Sequence, residues 1–152
     1  MAKFTCNGMD ELRASFDQLV QLSDDERLSV IMPGAEVLVE HQRNNVVSFF
    51  TQRSGELAKS LSIREKHDDS GGYANIYLKG KHPGSFTGKR RGKRRSNGKY
   101  SGTNAEVGYI LEYGSPRIAA THWMENANEE AATEVVNAQQ EAWDELIRKK
   151  GL

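Results

Sequence analysis

The stretch Glu106-Val107-Gly108-Tyr109-Ile110-Leu111-Glu112-Tyr113-Gly114-Ser115-Pro116-Arg117-Ile118-Ala119-Ala120-Thr121-His122-Trp123-Met124 decides how the rest of the chain is read. Val107 to Tyr113 is rich in β-branched and aromatic residues, a composition that suits a strand, and Gly108 interrupts it where a bulge would fit. Gly114-Ser115-Pro116 reads as a turn: glycine accepts a positive φ and proline cannot continue a ladder. Thr121 is placed to cap a helix whose first turn carries Trp123 and Met124. The expectation is a strand over 106–114 that turns into a long C-terminal helix over 121–150. Leu111, Glu112, Tyr113, Gly114, Trp123 and Met124 form the structural corner where the two meet.

Downstream, Met124, Ala127, Ala131, Val135, Ala138, Ala142 and Leu146 recur at steps of three and four, the spacing of one helix face. Mostly alanine, this seam lets another backbone come close. Glu125, Glu129, Glu130, Glu134, Glu141, Asp144 and Glu145 make the helix acidic, and Arg148-Lys149-Lys150 close it in accord with its dipole. Upstream, residues 1–22 contain an N-terminal helix capped by Asp10, with Leu12, Phe16, Leu19 and Val20 on its apolar face. Ser23-Asp24-Asp25-Glu26 is a capping box that starts a second helix over 23–52, which Pro33-Gly34 should kink or restart. Residues 57–78 read as a hairpin: Leu61 and Ile63 alternate in one arm, Tyr73 to Leu78 in the other, and Asp68-Asp69-Ser70-Gly71-Gly72 turns between them.

The segment 79–105 has a different character. From Lys79 to Lys99 it holds nine Lys or Arg and no acid, with Lys89-Arg90-Arg91-Gly92-Lys93-Arg94-Arg95 at its centre. Glycines are frequent, and Phe86 and Tyr100 are its large apolar groups, so a flexible basic arm between strands is expected. The fold class is therefore α+β: a small antiparallel β-sheet packed with N-terminal helices and a long C-terminal helix, in one domain spanning 1–152.

Composition narrows the function. With 152 residues, 37% of them hydrophobic and 28% charged, the chain suits a single core. Net charge is zero, so the cationic arm is balanced by acid elsewhere, a distribution that speaks of partners rather than fold. Cys6 alone forms no intramolecular disulfide, which points to a reducing compartment. No signal-peptide core or bilayer-length apolar run is present, and no membrane association is expected.

Catalytic and metal signatures are missing. His41, His67, His82 and His122 have neither an i,i+4 partner nor a cysteine beside them, so no metal site is expected. Gly84-Ser85-Phe86-Thr87-Gly88-Lys89-Arg90 falls one residue short of a phosphate loop and has Arg90 where a hydroxyl is needed. Asp68 and Asp69 suit a turn better than an acid/base pair. No enzyme and no cofactor is expected. The arm, through Lys89, Arg90, Arg91, Lys93, Arg94 and Arg95, is suited to contact either nucleic-acid phosphates or the acidic surface of a neighbouring subunit.

Three motifs resemble one family. Arg53-Ser54-Gly55-Glu56-Leu57-Ala58-Lys59-Ser60-Leu61 resembles the Gly-x-Leu-x-x-Ser turn of the neck and tail-completion proteins of long-tailed bacteriophages. Tyr109-Ile110-Leu111-Glu112-Tyr113-Gly114-Ser115 is similar to their Glu-aromatic-Gly signature. Ala120-Thr121-His122-Trp123-Met124-Glu125-Asn126-Ala127 stands where they carry Pro-Phe-(Leu/Met)-Arg-Pro-Ala, with Trp123 in place of Phe and both prolines absent. The order matches over about Ser23 to Leu152. The resemblance implies a structural virion protein, assembled in the host cytoplasm as a homo-oligomeric, hexameric ring at the head–tail junction. Its partners would be a head-closure or connector protein, a tail terminator or tube, and, transiently, packaged DNA. The alternative is a nucleic-acid-binding module that uses the Lys79–Lys99 arm.

Overall fold

The computed structural model describes residues 22–49, 54–68, 71–87 and 99–151. Helix α1 (Asp24–Phe49) begins where the capping box places it. The Ser23 amide donates to Glu26 Oε2 at 2.9 Å and the Glu26 amide donates to Ser23 Oγ at 3.3 Å, so two otherwise orphaned amides are satisfied. The restart expected at Pro33 does not occur, and one helix runs through it. At Gly34 the helix meets the C-terminal helix: a Cβ there would lie 2.8 Å from Gln139 Cγ, on a flexible side chain.

A short helix α2 (Ser54–Ser60) follows, where the hairpin's first arm was expected to begin at Leu57. Leu57 and Ala58 are buried on it, and Ser60 Oγ donates to the Leu57 carbonyl at 2.7 Å. Strand β1 (Leu61–Asp68) then pairs antiparallel with β2 (Gly71–Leu78), from Leu61 opposite Leu78 to Asp68 opposite Gly71. Within the expected arm, β3 (Lys81–Thr87) and β4 (Lys99–Thr103) form a second antiparallel ribbon. Extended chain needs no buried core if a neighbouring strand takes its backbone groups, which is how residues 81–87 and 99–103 pair here. Each sheet has two strands.

The largest correction concerns 106–114: it is not a strand. Asn104–Tyr113 is helix α3, started by a second capping box in which the Glu106 amide donates to Thr103 Oγ1 and the Thr103 amide donates to Glu106 Oε2. Local capping and packing outweigh β-propensity, which is a weak, context-dependent preference. Gly108 is accordingly no bulge. It lies against Leu78 and Trp123, and a Cβ there would collide with Leu78 Cδ1.

Helix α4 (Trp123–Lys150) runs antiparallel to α1, since Glu26 meets Lys150, Gly34 meets Gln139 and Gln42 meets Asn128. Of the expected seam Ala127 and Ala131 are buried, together with Trp123, while Met124 is half-buried. The core gathers Val39, Val46, Leu57, Ala58, Leu61 and Trp123, with Ile63, Ile76, Leu78, Leu111 and Met124 packed around them. The chain is α+β, two small antiparallel ribbons set against helices. The N-terminal helix expected within 1–22 lies outside the described residues, apart from Leu22.

Candidate functional site: a carboxylate-capped corner and a tyrosine-lined cleft

Helix α3 ends at Gly114, whose amide donates to the Ile110 carbonyl at 2.8 Å and whose φ is +80°. A side chain there would meet the Ala120 amide at 2.8 Å and the Ile118 carbonyl at 3.0 Å. The glycine is needed because the loop folds back on it: Ser115 and Ile118 exchange backbone hydrogen bonds of 2.7 and 3.1 Å. Thr121 then donates through both its amide and its hydroxyl to the Leu111 carbonyl, at 2.9 and 2.7 Å. It therefore seals the end of α3, whereas the sequence predicts it as the cap of the C-terminal helix.

The cap of α4 is Glu112. Its carboxylate is buried, at 5% exposure, and accepts the Met124 amide at 2.7 Å and the Glu125 amide at 3.2 Å. A negative charge on the open amides of a helix N-terminus is the favourable sign for the dipole. The residue at the N-cap position, His122, is left-handed (φ +49°) and makes no side-chain cap. Trp123 is fully buried behind it and its indole N–H donates to the Gly108 carbonyl at 3.2 Å. Glu112 and Met124 are thus bonded at this corner, with Trp123 buried beside them, Gly114 at the turn and Leu111 packed against the core. Tyr113 does not enter the corner's core: it is 64% exposed, as is Tyr109 one turn earlier, and the two rings lie 4.7 Å apart.

Those tyrosines border a cleft of about 380 Å³. Ile76, Tyr77 and Leu78 of β2 form one wall, Ala105, Tyr109, Glu112 and Tyr113 of α3 the other, with Leu61, Gln42 and Met124 completing it. On the far side of Tyr77, the Arg64 guanidinium lies 4.7 Å from its ring centroid. Gln42 donates to Asn128 Oδ1 at 2.9 Å, while its own buried Oε1 has no hydrogen-bond partner.

Three of the four histidines pair with acids: His41 with Glu134 at 2.9 Å, His67 with Asp24 at 3.6 Å, and His122 with Glu125 at 3.1 Å. Glu112, His122 and Glu125 bring three ligand-type atoms within 4.8 Å of one another. Both Glu112 oxygens already accept helix amides, and the positive end of α4 opposes a cation. The group is built as a cap. At the opposite end of the α1–α4 pair, Lys150 lies 2.8 Å from Glu26. That ammonium, with the Ser23 amide, holds the Glu26 carboxyl below its ordinary value. Among the described residues no helix is long and apolar enough to cross a membrane.

The basic cluster Lys89, Arg90, Arg91, Lys93, Arg94 and Arg95 lies outside the described residues. The structure establishes that the chain leaves for it along β3 and returns along β4. Sequence reading missed Tyr109 as a surface residue and the Thr103–Glu106 box. The Thr-x-x-Glu pattern was the available signal for the latter. No protein-family profile, curated protein or solved structure matches the chain.

Proposed function

We propose that this chain is a structural virion protein of the phage neck, a subunit of a ring that joins the DNA-filled head to the tail. The reading rests on three motifs in family order, and the Glu112 cap is the observation that carries it. The Glu-aromatic-Gly signature and the Trp123-Met124 segment are separate in sequence, yet the carboxylate of one holds the first amides of the other. That bond gives both motifs a common physical purpose: it ties the start of the long helix to the end of α3. A joint protein needs such a fixed corner more than it needs a reactive group. The reading makes it a non-enzymatic ring subunit, hexameric and free of cofactor, that meets head-closure or connector proteins on one side and tail terminator or tube on the other. It places the protein in the virion, after assembly in the host cytoplasm, with the basic arm touching neighbours or passing DNA.

Deleting the gene from the source genome and viewing the lysate by electron microscopy tests this. Filled heads beside separate, finished tails are expected. Normally joined particles, or a lysate with no virus-like particles, would refute it. The run of nine cations from Lys79 to Lys99 favours one alternative, a nucleic-acid-binding module. In that case the purified protein binds free DNA or RNA tightly, with affinity falling steeply as salt rises.

A further inference from the structure

The tyrosine cleft is lined by a buried amide that the fold satisfies at one end only. Gln42 is 4% exposed, and its Nε2 donates to Asn128 Oδ1 at 2.9 Å. Gln42 lines the cleft and Asn128 does not. The bond therefore holds the carboxamide by its nitrogen, and Oε1 is left on the side away from Asn128, where the cleft is. Oε1 has no hydrogen-bond partner among the described residues. Asn45 Oδ1 and Asn104 Oδ1 are also buried without a partner, but neither residue lines this cleft. A buried acceptor left open carries a desolvation cost with nothing to offset it, so such an atom marks a place for a donor.

The lining supplies no such donor. Both Glu112 oxygens already accept helix amides, and the Tyr77 hydroxyl accepts Arg64 Nη2 at 3.3 Å. A buried water would need two to four polar partners, and the Leu61, Ile76, Leu78 and Met124 side chains of the lining offer it none. The rest of the lining states what the ligand must be. Oε1 accepts, so the ligand carries an N–H or O–H. Glu112 is the one charged residue of the lining and disfavours an anion, while the positive end of α4 behind it disfavours a cation. Three tyrosines border the cleft, with the Tyr109 and Tyr113 rings 4.7 Å apart and inclined at 49°. Beside the Met124 thioether they favour an aromatic ring, which gains tilted-ring and sulfur contacts that an aliphatic group lacks. A volume of about 380 Å³ lies at the small end of ligand pockets and suits one bicyclic ring.

We propose that this cleft is a binding site for a small, neutral aromatic molecule of the indole or phenol class. Its N–H or O–H donates to Gln42 Oε1, and its ring packs against Tyr109 and Tyr113.

Indole and N-methylindole share the ring and differ at the donor, so the pair tests the site on the full-length protein. Each is titrated while the Gln42 side-chain amide and the Met124 methyl are followed by nuclear magnetic resonance. Indole should shift both signals, and N-methylindole should bind about tenfold more weakly, the worth of one net hydrogen bond. Gln42→Met keeps the length of the side chain and removes the acceptor, so it should bind the two molecules equally, with unchanged circular dichroism. If that variant does not fold, Tyr109→Ala decides, because Tyr109 is an exposed part of the lining. It should weaken indole severalfold and keep the preference for indole over N-methylindole. Indole that moves neither signal at millimolar concentration overturns the site, as does N-methylindole binding as tightly as indole. N-acetyl-tryptophanamide carries the same ring on a peptide unit. Weaker binding than indole supports a free ligand, and much tighter binding assigns the cleft to a side chain of a partner protein and overturns it.

Discussion

Replacing Glu112 by alanine is the sharpest test of the corner. The substitution removes a buried carboxylate that accepts two helix amides, at 2.7 and 3.2 Å. Hydrogen bonds to a charged group contribute about 1.5–3 kcal/mol each, but these two share one carboxylate and are not additive. The shorter contributes more, and the Glu125 amide lies at a surface where water can replace its partner. Loss of an N-cap alone costs about 0.5–2 kcal/mol. Taken together, Glu112→Ala should destabilise by about 3 kcal/mol, which in a chain of this size lowers Tm by roughly 6–12 °C. Glu112→Gln retains an acceptor but not the charge, and should cost about 1–2 kcal/mol. Urea titration followed by circular dichroism gives both values. Amide exchange at Met124 and Glu125 supplies a local reading, with protection lost there first. An alanine variant within about 0.5 kcal/mol of wild type, with those amides still protected, would refute the cap as the device that fixes the helix.

Two glycines should answer alanine in opposite ways. Gly108→Ala drives a methyl into Leu78 within the packed corner and should cost about 1–3 kcal/mol in a urea titration, despite alanine's better helix propensity. Gly34→Ala meets only the side chain of Gln139, which can swing aside, so the propensity gain should leave stability within about 0.5 kcal/mol of wild type or above it. Trp123→Phe loses the indole bond to Gly108 and part of the ring volume, and a decrease of about 1–3 kcal/mol in unfolding free energy is expected. The Glu26–Lys150 contact makes a pH prediction. The folded carboxyl is held below its ordinary value of 4.5, so its stabilisation is present above that pH and is lost as pH falls through the lower folded value. The Tm difference between wild type and Lys150→Met should therefore shrink on acidification below about 4.5, and a difference constant with pH would contradict it.

Legibility followed the range of the interactions. The Ser23–Glu26 box, the alternation in Tyr73 to Leu78, the positive φ at Gly114 and the alanine seam of α4 are local patterns, and each was readable. Leu57 went wrong by a few residues because Leu57, Ala58 and Leu61 are all buried, and buried apolar residues look alike in the last turn of a helix and the start of a strand. The ribbon at Lys81 and Thr103 was invisible for another reason: its strands pair with each other across a long insertion, and neither carries an apolar alternation. Glu112 was placed in the right corner without its role, because a carboxylate that caps a helix beginning eleven residues later leaves no periodic trace.

The misreading of Asn104 to Tyr113 shows what outweighs composition. Val107, Tyr109, Ile110 and Tyr113 favour extended chain by a few tenths of a kcal/mol each. Against them stand the Thr103–Glu106 box, worth about 1 kcal/mol at the start, and the Gly114 cap at the end. Those local terms alone do not decide it. The extended alternative would carry Glu112 away from the α4 amides and break the indole bond from Trp123 to Gly108. It would also leave the glycine at 108 unexplained, since only the helix brings that position against Leu78 and Trp123. Helix α3 therefore forms because α4 needs its carboxylate and the tryptophan needs its carbonyl. Glu112→Ala and Gly108→Ala are for that reason expected to weaken the same element from its two sides.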